Sequence, residues 1–161
     1  MKMKTLTVNA IIAALYVAVS LAIPALAFGN LQFRIAEMFN HLIVFNKRYF
    51  FGIVAGVFIT NLFSPLGIYD LTFGVAHSVI SLGVVLLIIP RLKSETHKMI
   101  VTAVVFTLTT FIIAYELVLV YALPFYLTWL TVGAGELIVM LIGIPIIKAL
   151  GKRLNLATLL N

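Results

Sequence analysis

Cysteine is absent from the 161 residues, and charge is scarce, with 10% of positions Asp, Glu, Lys or Arg. The first absence excludes disulfides, thiol catalysis and thiolate-bound metals. The second falls well below the roughly 25% charged residues usual in soluble domains. Acidic residues are the scarcest, five against eleven basic ones, giving a net charge of +6. There is no G-x-x-x-x-G-K-[ST], so the chain has no P-loop with which to bind ATP itself, and G-x-S-x-G and H-E-x-x-H are also missing. His41, His77 and His97 lie on separate segments without ligand spacing, so neither a metal nor another cofactor is expected. Soluble linkers and low-complexity stretches are missing too. Together these absences argue against an enzyme.

What fills the space is apolar: 63% of residues are hydrophobic. A soluble fold of this length has nowhere to hide so much apolar surface, so lipid must act as its solvent. The expected fold is an all-α integral membrane bundle, one domain over 1–161, with six transmembrane helices. The first apolar run spans about Leu6 to Phe28, with Pro24 near its outer end, and reads as a retained helix rather than a cleaved signal. The second, from Arg34 to just before Asn46, is short for a bilayer that needs roughly 20 residues. The others run from about Tyr49 to Phe63, Asp70 to Ile89, Lys98 to Tyr121, and Phe125 to Leu150, with Pro145 inside the last.

Six spans place Lys2, Lys4, Lys47, Arg48, Arg91, Lys93, Lys98, Lys148, Lys152 and Arg153 on one side, ten of the eleven basic residues. The positive-inside rule makes that side cytoplasmic, with both termini there. The positive charge is thus read as a topology signal, and no nucleic-acid partner is expected. Arg34 is the exception, on the outer side.

Arg34, Glu37, Asn61, Asp70, His77, Glu116 and Glu136 interrupt or flank the apolar runs, mostly in their outer halves. Ionisable groups are expensive in lipid and usually face a bundle interior or cavity. Arg34 and Glu37, three apart, are placed to pair with each other; Asp70 and His77, seven apart, share a face. Each has a structural alternative: a snorkelling Arg34, a Glu37 that only neutralises it, Asp70 as a helix cap, and Asn61 or His77 as interior packing residues. Glu116 and Glu136 have no basic residue near them in sequence, which favours a functional role. Trp129, Gly133 and Glu136 fall at i, i+4 and i+7, an aromatic plate, a gap and a carboxylate on one helix face. That suits a flat, hydrogen-bonding ligand. Ala10, Ala14, Ala18 and Ala22 form a stripe of small residues along the first span, which serves either internal packing or docking to another membrane subunit.

Three motifs carry a family resemblance. Gln32-Phe33-Arg34-Ile35-Ala36-Glu37, Asn61-Leu62-Phe63-Ser64-Pro65-Leu66-Gly67 with Asp70 and Phe73-Gly74, and Gly135-Glu136 with Gly143 and Pro145 resemble the QueT family of queuosine-precursor transporters. The alanine stripe resembles the A-x-x-x-A face of substrate-binding (S) components of energy-coupling factor transporters. In the first motif Ala36, Met38 and Phe39 stand where serine, alanine and leucine are expected, while Arg34 and Glu37 are retained. The resemblance implies an S component with an outward-opening pocket in the cell membrane. Its partners would be a transmembrane coupling subunit and two cytoplasmic ATPases. Its cargo would be a queuosine precursor such as an aminomethyl-deazaguanine or queuine. Glu136 would accept the adjacent N–H donors of a guanine-like edge, Glu37 or Glu116 would meet a ligand ammonium, and Trp129 or Phe33 would stack on the ring. The loop from Gly29 to Phe33 would act as a lid. Rival readings are an S component for another vitamin-like solute, a stand-alone proton-coupled carrier, and a membrane enzyme.

The cysteine-free background makes the topology directly testable. Lys93→Cys protein is expected to react with a membrane-impermeant maleimide only after the cells are opened. Leu123→Cys protein is expected to react in intact cells.

Overall fold

The computed structural model describes residues 3–24, 28 and 32–160. Every regular element among them is helical. In chain order these are α1 (Met3–Ala22), a 3₁₀ helix (Ile35–Val44), α2 (Tyr49–Asn61), α3 (Ile68–Ile88) with a 3₁₀ turn at Ile89–Arg91, α4 (Glu95–Thr109), α5 (Phe111–Tyr121), α6 (Phe125–Leu154) and the short α7 (Leu156–Leu159). Four stretches are long and apolar enough to cross a membrane: Met3–Ala22, Ile68–Arg91, Glu95–Tyr121 and Phe125–Leu154. Ile35–Val44 and Tyr49–Asn61 are apolar but shorter.

The second apolar run is wound more tightly than an α-helix. A 3₁₀ helix rises about 2.0 Å per residue against about 1.5 Å for an α-helix, so ten residues reach roughly 20 Å instead of 15 Å. With three residues per turn it also stacks Glu37 and Asn40 in one row, with Arg34 at its N-cap. This segment packs against α6, α1, α4, α2 and α3, which makes it the centre of the bundle. Gly143 lets α6 close on it, since a Cβ there would lie 2.6 Å from the Met38 Cβ.

The fifth apolar run is divided at Thr110. The hydroxyls of Thr109 and Thr110 bond back to the carbonyls of Val105, Phe106 and Thr107. Such back-bonding bends helices, and here α4 stops at Thr109 while α5 starts at Phe111. Pro145, by contrast, sits inside a continuous α6. His41 Nε2 lies 2.8 Å from the Met140 carbonyl of that helix, a bond between α6 and the 3₁₀ segment.

The first helix buries Asn9, Ile12, Ala13, Tyr16 and Ser20 on one side, chiefly against α2. Asn9 Oδ1 accepts from the Gly52 amide at 2.9 Å. That amide is one of the first four of α2, which have no partner within their own helix. At the Lys- and Arg-rich end, the Tyr49 hydroxyl donates to the Leu156 carbonyl at 2.8 Å and Arg48 to the Leu160 carbonyl. These bonds fasten α7 beneath the bundle, with Leu156 and Leu160 buried.

Replacing Gly143 with valine is expected to overpack the contact with Met38 and cost about 1–3 kcal/mol. The measurement is thermal unfolding in detergent, with Tm falling by several degrees. Gly83→Ala is the control: nothing lies within 4 Å of where its Cβ would stand, so Tm should hold or rise slightly.

Candidate functional site

Four of the chain's five acidic residues, Glu37, Asp70, Glu116 and Glu136, are buried, and so is Arg34. They come from the 3₁₀ segment, α3, α5 and α6 respectively. Burying that much charge in an apolar bundle is costly unless each group is paired or hydrogen-bonded. The partners divide the acids into two kinds.

Asp70 and Glu37 are satisfied by the protein. Arg34 donates from Nη2 to Asp70 Oδ1 at 2.9 Å, an ion pair whose side chains are 9% and 0% exposed. Its Nε donates to Gln32 Oε1 at 2.7 Å. The Ser64 hydroxyl donates to the other Asp70 oxygen, and Asn61 Nδ2 donates to the Asp70 carbonyl at 2.9 Å. Gly74 makes room for this knot: a Cβ there would meet Asn61 Nδ2 at 2.4 Å and Arg34 Nη1 at 3.5 Å. Glu37 accepts from the Tyr16 hydroxyl at 2.8 Å and from Asn40 Nδ2.

Glu116 and Glu136 are different. Neither oxygen of Glu116 has a hydrogen-bond partner among the described residues, nor does Glu136 Oε1. Glu116 lies beside Asp70, and Glu136 lies within the electrostatic reach of Glu37 and Arg34. The Asp70 oxygens beside Glu116 already accept from Arg34 and Ser64. Gln32 Nε2, Asn40 Oδ1 and His77 Nδ1 are also buried without a partner. The cluster therefore holds one guanidinium, four carboxyls and several unused polar atoms. Among the unpartnered atoms, the Glu116 and Glu136 oxygens and Asn40 Oδ1 can accept hydrogen bonds, and Gln32 Nε2 can donate one.

These contacts correct several sequence expectations. Arg34 pairs with Asp70 across 36 residues, and no ion pair links it to Glu37. It does not snorkel, being 8% exposed. Asp70 does not cap α3; Gly67 holds that position, and the Asp70 carboxylate turns to Arg34 and Ser64. Asn61 bonds the backbone of Asp70, as a packing residue would. His77 Nε2 lies 3.3 Å from the Phe106 carbonyl, with its ring edge-on to Phe106. Trp129 Nε1 donates to the Leu108 carbonyl at 3.1 Å. With Gly133 it lines a lateral apolar cavity of about 510 Å³ between α4 and α6, to which Glu136 contributes no lining. Phe33 is half-buried just before the 3₁₀ segment. Residues 29–31 of the expected lid, and 25–27 near the end of the first apolar run, lie outside the described residues. Sequence reasoning missed Tyr16, Asn40 and Ser64 as partners of the acids. The sole signal was periodic: Asn40 follows Glu37 by three, the repeat of a 3₁₀ helix.

Ala10, Ala14, Ala18 and Ala22 are exposed, on the side of α1 away from Tyr16. Ala10, Ala14 and Ala18 line an apolar groove of about 700 Å³ with Phe51, Ala55 and Ile59 of α2.

A family model described as "QueT transporter" matches residues 6–152. The chain is also 34% identical to the "Queuosine precursor transporter QueT" of Lactococcus lactis subsp. cremoris (strain MG1363), with 92% of each chain covered. No solved structure matches. With its four membrane-length apolar stretches, the chain is a multi-pass membrane protein.

Arg34→Gln alone should leave the Asp70 carboxylate buried without its cation and cost about 3–5 kcal/mol. Unfolding of the single variant and of Arg34→Gln/Asp70→Asn in the same detergent measures this. The double variant is expected to be the more stable of the two.

Proposed function

Given that the chain belongs to the QueT transporter family, we propose that it is the substrate-capture S component of an energy-coupling factor transporter in the cell membrane. Its cargo in this reading is a queuosine precursor, an aminomethyl-deazaguanine or queuine. The observation that carries the reading is the set of unpartnered oxygens on Glu116 and Glu136, buried beside acids that are already satisfied. A guanine-like edge presents adjacent N–H donors that one carboxylate accepts in bidentate fashion, and an aminomethyl or secondary amine adds a cation for a second. Glu136 takes the ring edge and Glu116 the amine. Glu37 is the weaker candidate for the amine, since Tyr16 and Asn40 already donate to it. Phe33 remains the candidate for stacking, because Trp129 is engaged with Leu108. Arg34 and Asp70 hold the frame of the site, with Asn61 and His77 packed into it.

In this reading the 3₁₀ segment and α2 are two further spans, and α4 with α5 make one, giving six. Both termini are cytoplasmic, where ten of the eleven basic residues gather. The whole chain, 1–161, acts as one transmembrane domain. The exposed alanine face of α1 is where the transmembrane coupling subunit docks, and its two ATPase partners supply the nucleotide hydrolysis that this chain has no P-loop to perform. The cycle is capture from outside, docking through α1, and inward release. The chain acts as a carrier subunit and catalyses no reaction itself.

Purified Glu136→Gln protein is expected to lose at least tenfold in affinity for aminomethyl-deazaguanine, and unchanged affinity would contradict the assignment. Replacing Ala14 and Ala18 with leucine should leave ligand binding intact while abolishing assembly and uptake. Assembly that survives those changes would remove the stripe from the docking face.

A further inference from the structure

Two faces of α1 carry different chemistry. Ala14 and Ala18 are each two residues from Tyr16, which at 100° per residue puts them on nearly the opposite side of the helix. The alanines are exposed, whereas Tyr16 is 3% exposed. Its hydroxyl crosses to the 3₁₀ segment and donates to Glu37 at 2.8 Å. Glu37 in turn accepts from Asn40, whose Oδ1 is buried without a partner. The other side-chain bond between α1 and a neighbouring helix among the described residues is the one that Asn9 Oδ1 accepts from the Gly52 amide, well away from the acids. Tyr16 is thus the polar link from α1 to the buried cluster.

The ring is clamped as well as bonded. A Cβ on Gly56 would lie 2.7 Å from the Tyr16 Cβ, so α2 presses directly on it. The Phe39 ring of the 3₁₀ segment lies 6.3 Å from it, centroid to centroid. A displacement of α1 relative to the 3₁₀ segment must therefore move the Tyr16 hydroxyl relative to Glu37. The segment that receives the movement is a ten-residue 3₁₀ helix. Runs of that length are uncommon, because 3₁₀ hydrogen bonds have poorer geometry than α-helical ones. Its row of Glu37 and Asn40 depends on that winding. In an α-helix, each step of three residues would rotate the row by about 60°.

We propose that Tyr16 is a positioning residue that couples the docking face of α1 to the ligand site: the Tyr16–Glu37 hydrogen bond transmits docking to the 3₁₀ segment and lowers ligand affinity there. The inference rests on the S-component reading above. It assigns no ligand contact to Tyr16, which acts through Glu37. By linkage, a partner that weakens ligand binding is itself held less tightly when ligand is present, by the same factor.

The test is a ratio of two affinities. Binding of radiolabelled aminomethyl-deazaguanine is measured for the isolated subunit and for the nucleotide-free complex with the coupling subunit and ATPases. In the wild type the complex is expected to bind more weakly, within the range of about 5–150-fold typical of such coupling. In Tyr16→Phe, which keeps the ring and loses the donor, the ratio should fall towards one. A uniform loss of affinity from disturbing Glu37 cancels in the ratio. Gly56→Ala, which displaces the same ring while keeping its hydroxyl, should lower the ratio as well and serves if Tyr16→Phe does not fold. A wild-type ratio of one, or a wild-type ratio retained in the variants, would overturn the proposal. Failure of the wild type to bind the probe or to assemble would instead strike the underlying reading.

Discussion

Arg34 carries the one buried positive charge among the described residues, and four buried carboxyls surround it. Its bond to Asp70 joins the extended stretch before the 3₁₀ segment to the first turn of α3. Once that pair forms, Ser64 and Asn61 have a fixed carboxylate and carbonyl to donate to. Gly74 has to remain bare for the guanidinium and Asn61 to fit beside α3. Gln32 stands at φ 49, the left-handed region, which costs an ordinary residue roughly 1–2 kcal/mol, and its side chain is bonded to the same guanidinium. The entry to the central 3₁₀ segment is therefore set by one ion pair.

The pair also shapes what remains for a ligand. Arg34 neutralises Asp70, and Tyr16 and Asn40 donate to Glu37, so the acids with oxygens left open to a ligand are Glu116 and Glu136. Had Arg34 paired with Glu37, Asp70 would have kept only its bond from Ser64 and joined Glu116 and Glu136 as an acid with an open oxygen. The specificity proposed for a donor-rich, amine-bearing heterocycle thus follows from a choice of partner within the protein. In low dielectric that choice is strongly enforced, because an unpaired buried charge is far more costly there than at a surface.

Much of this was legible in the sequence, because lipid imposes simple rules. Long apolar runs announced the helices, and Glu116 and Glu136 stood out as acids with no base nearby. The stripe of alanines followed from a repeat of four, though not which side of the first helix would be buried. The rest depends on contacts that periodicity does not encode. Arg34 and Glu37 look like a pair if the segment is taken as an α-helix in isolation, and the preference for Asp70 appears only once α3 packs beside them. Tyr16 reads as one more apolar-face residue of the first span until the 3₁₀ segment places Glu37 against its hydroxyl. Trp129 shares a helical face with Glu136 by count, yet Leu108 holds its indole at a lateral cavity. The threonines that divide α4 from α5 are ordinary membrane-helix residues until their hydroxyls bond back to the carbonyls before them.

The central claim is that the two open carboxylates bind a donor-rich deazaguanine. The most direct measurement is mass spectrometry of the small molecule released when the protein, purified from cells supplied with queuosine precursors, is denatured. The account predicts a deazaguanine base in near-stoichiometric amount from the wild type, and its loss from Glu116→Gln/Glu136→Gln. A flavin, a biotin-like vitamin or another solute without adjacent N–H donors, carried equally by both proteins, would contradict it.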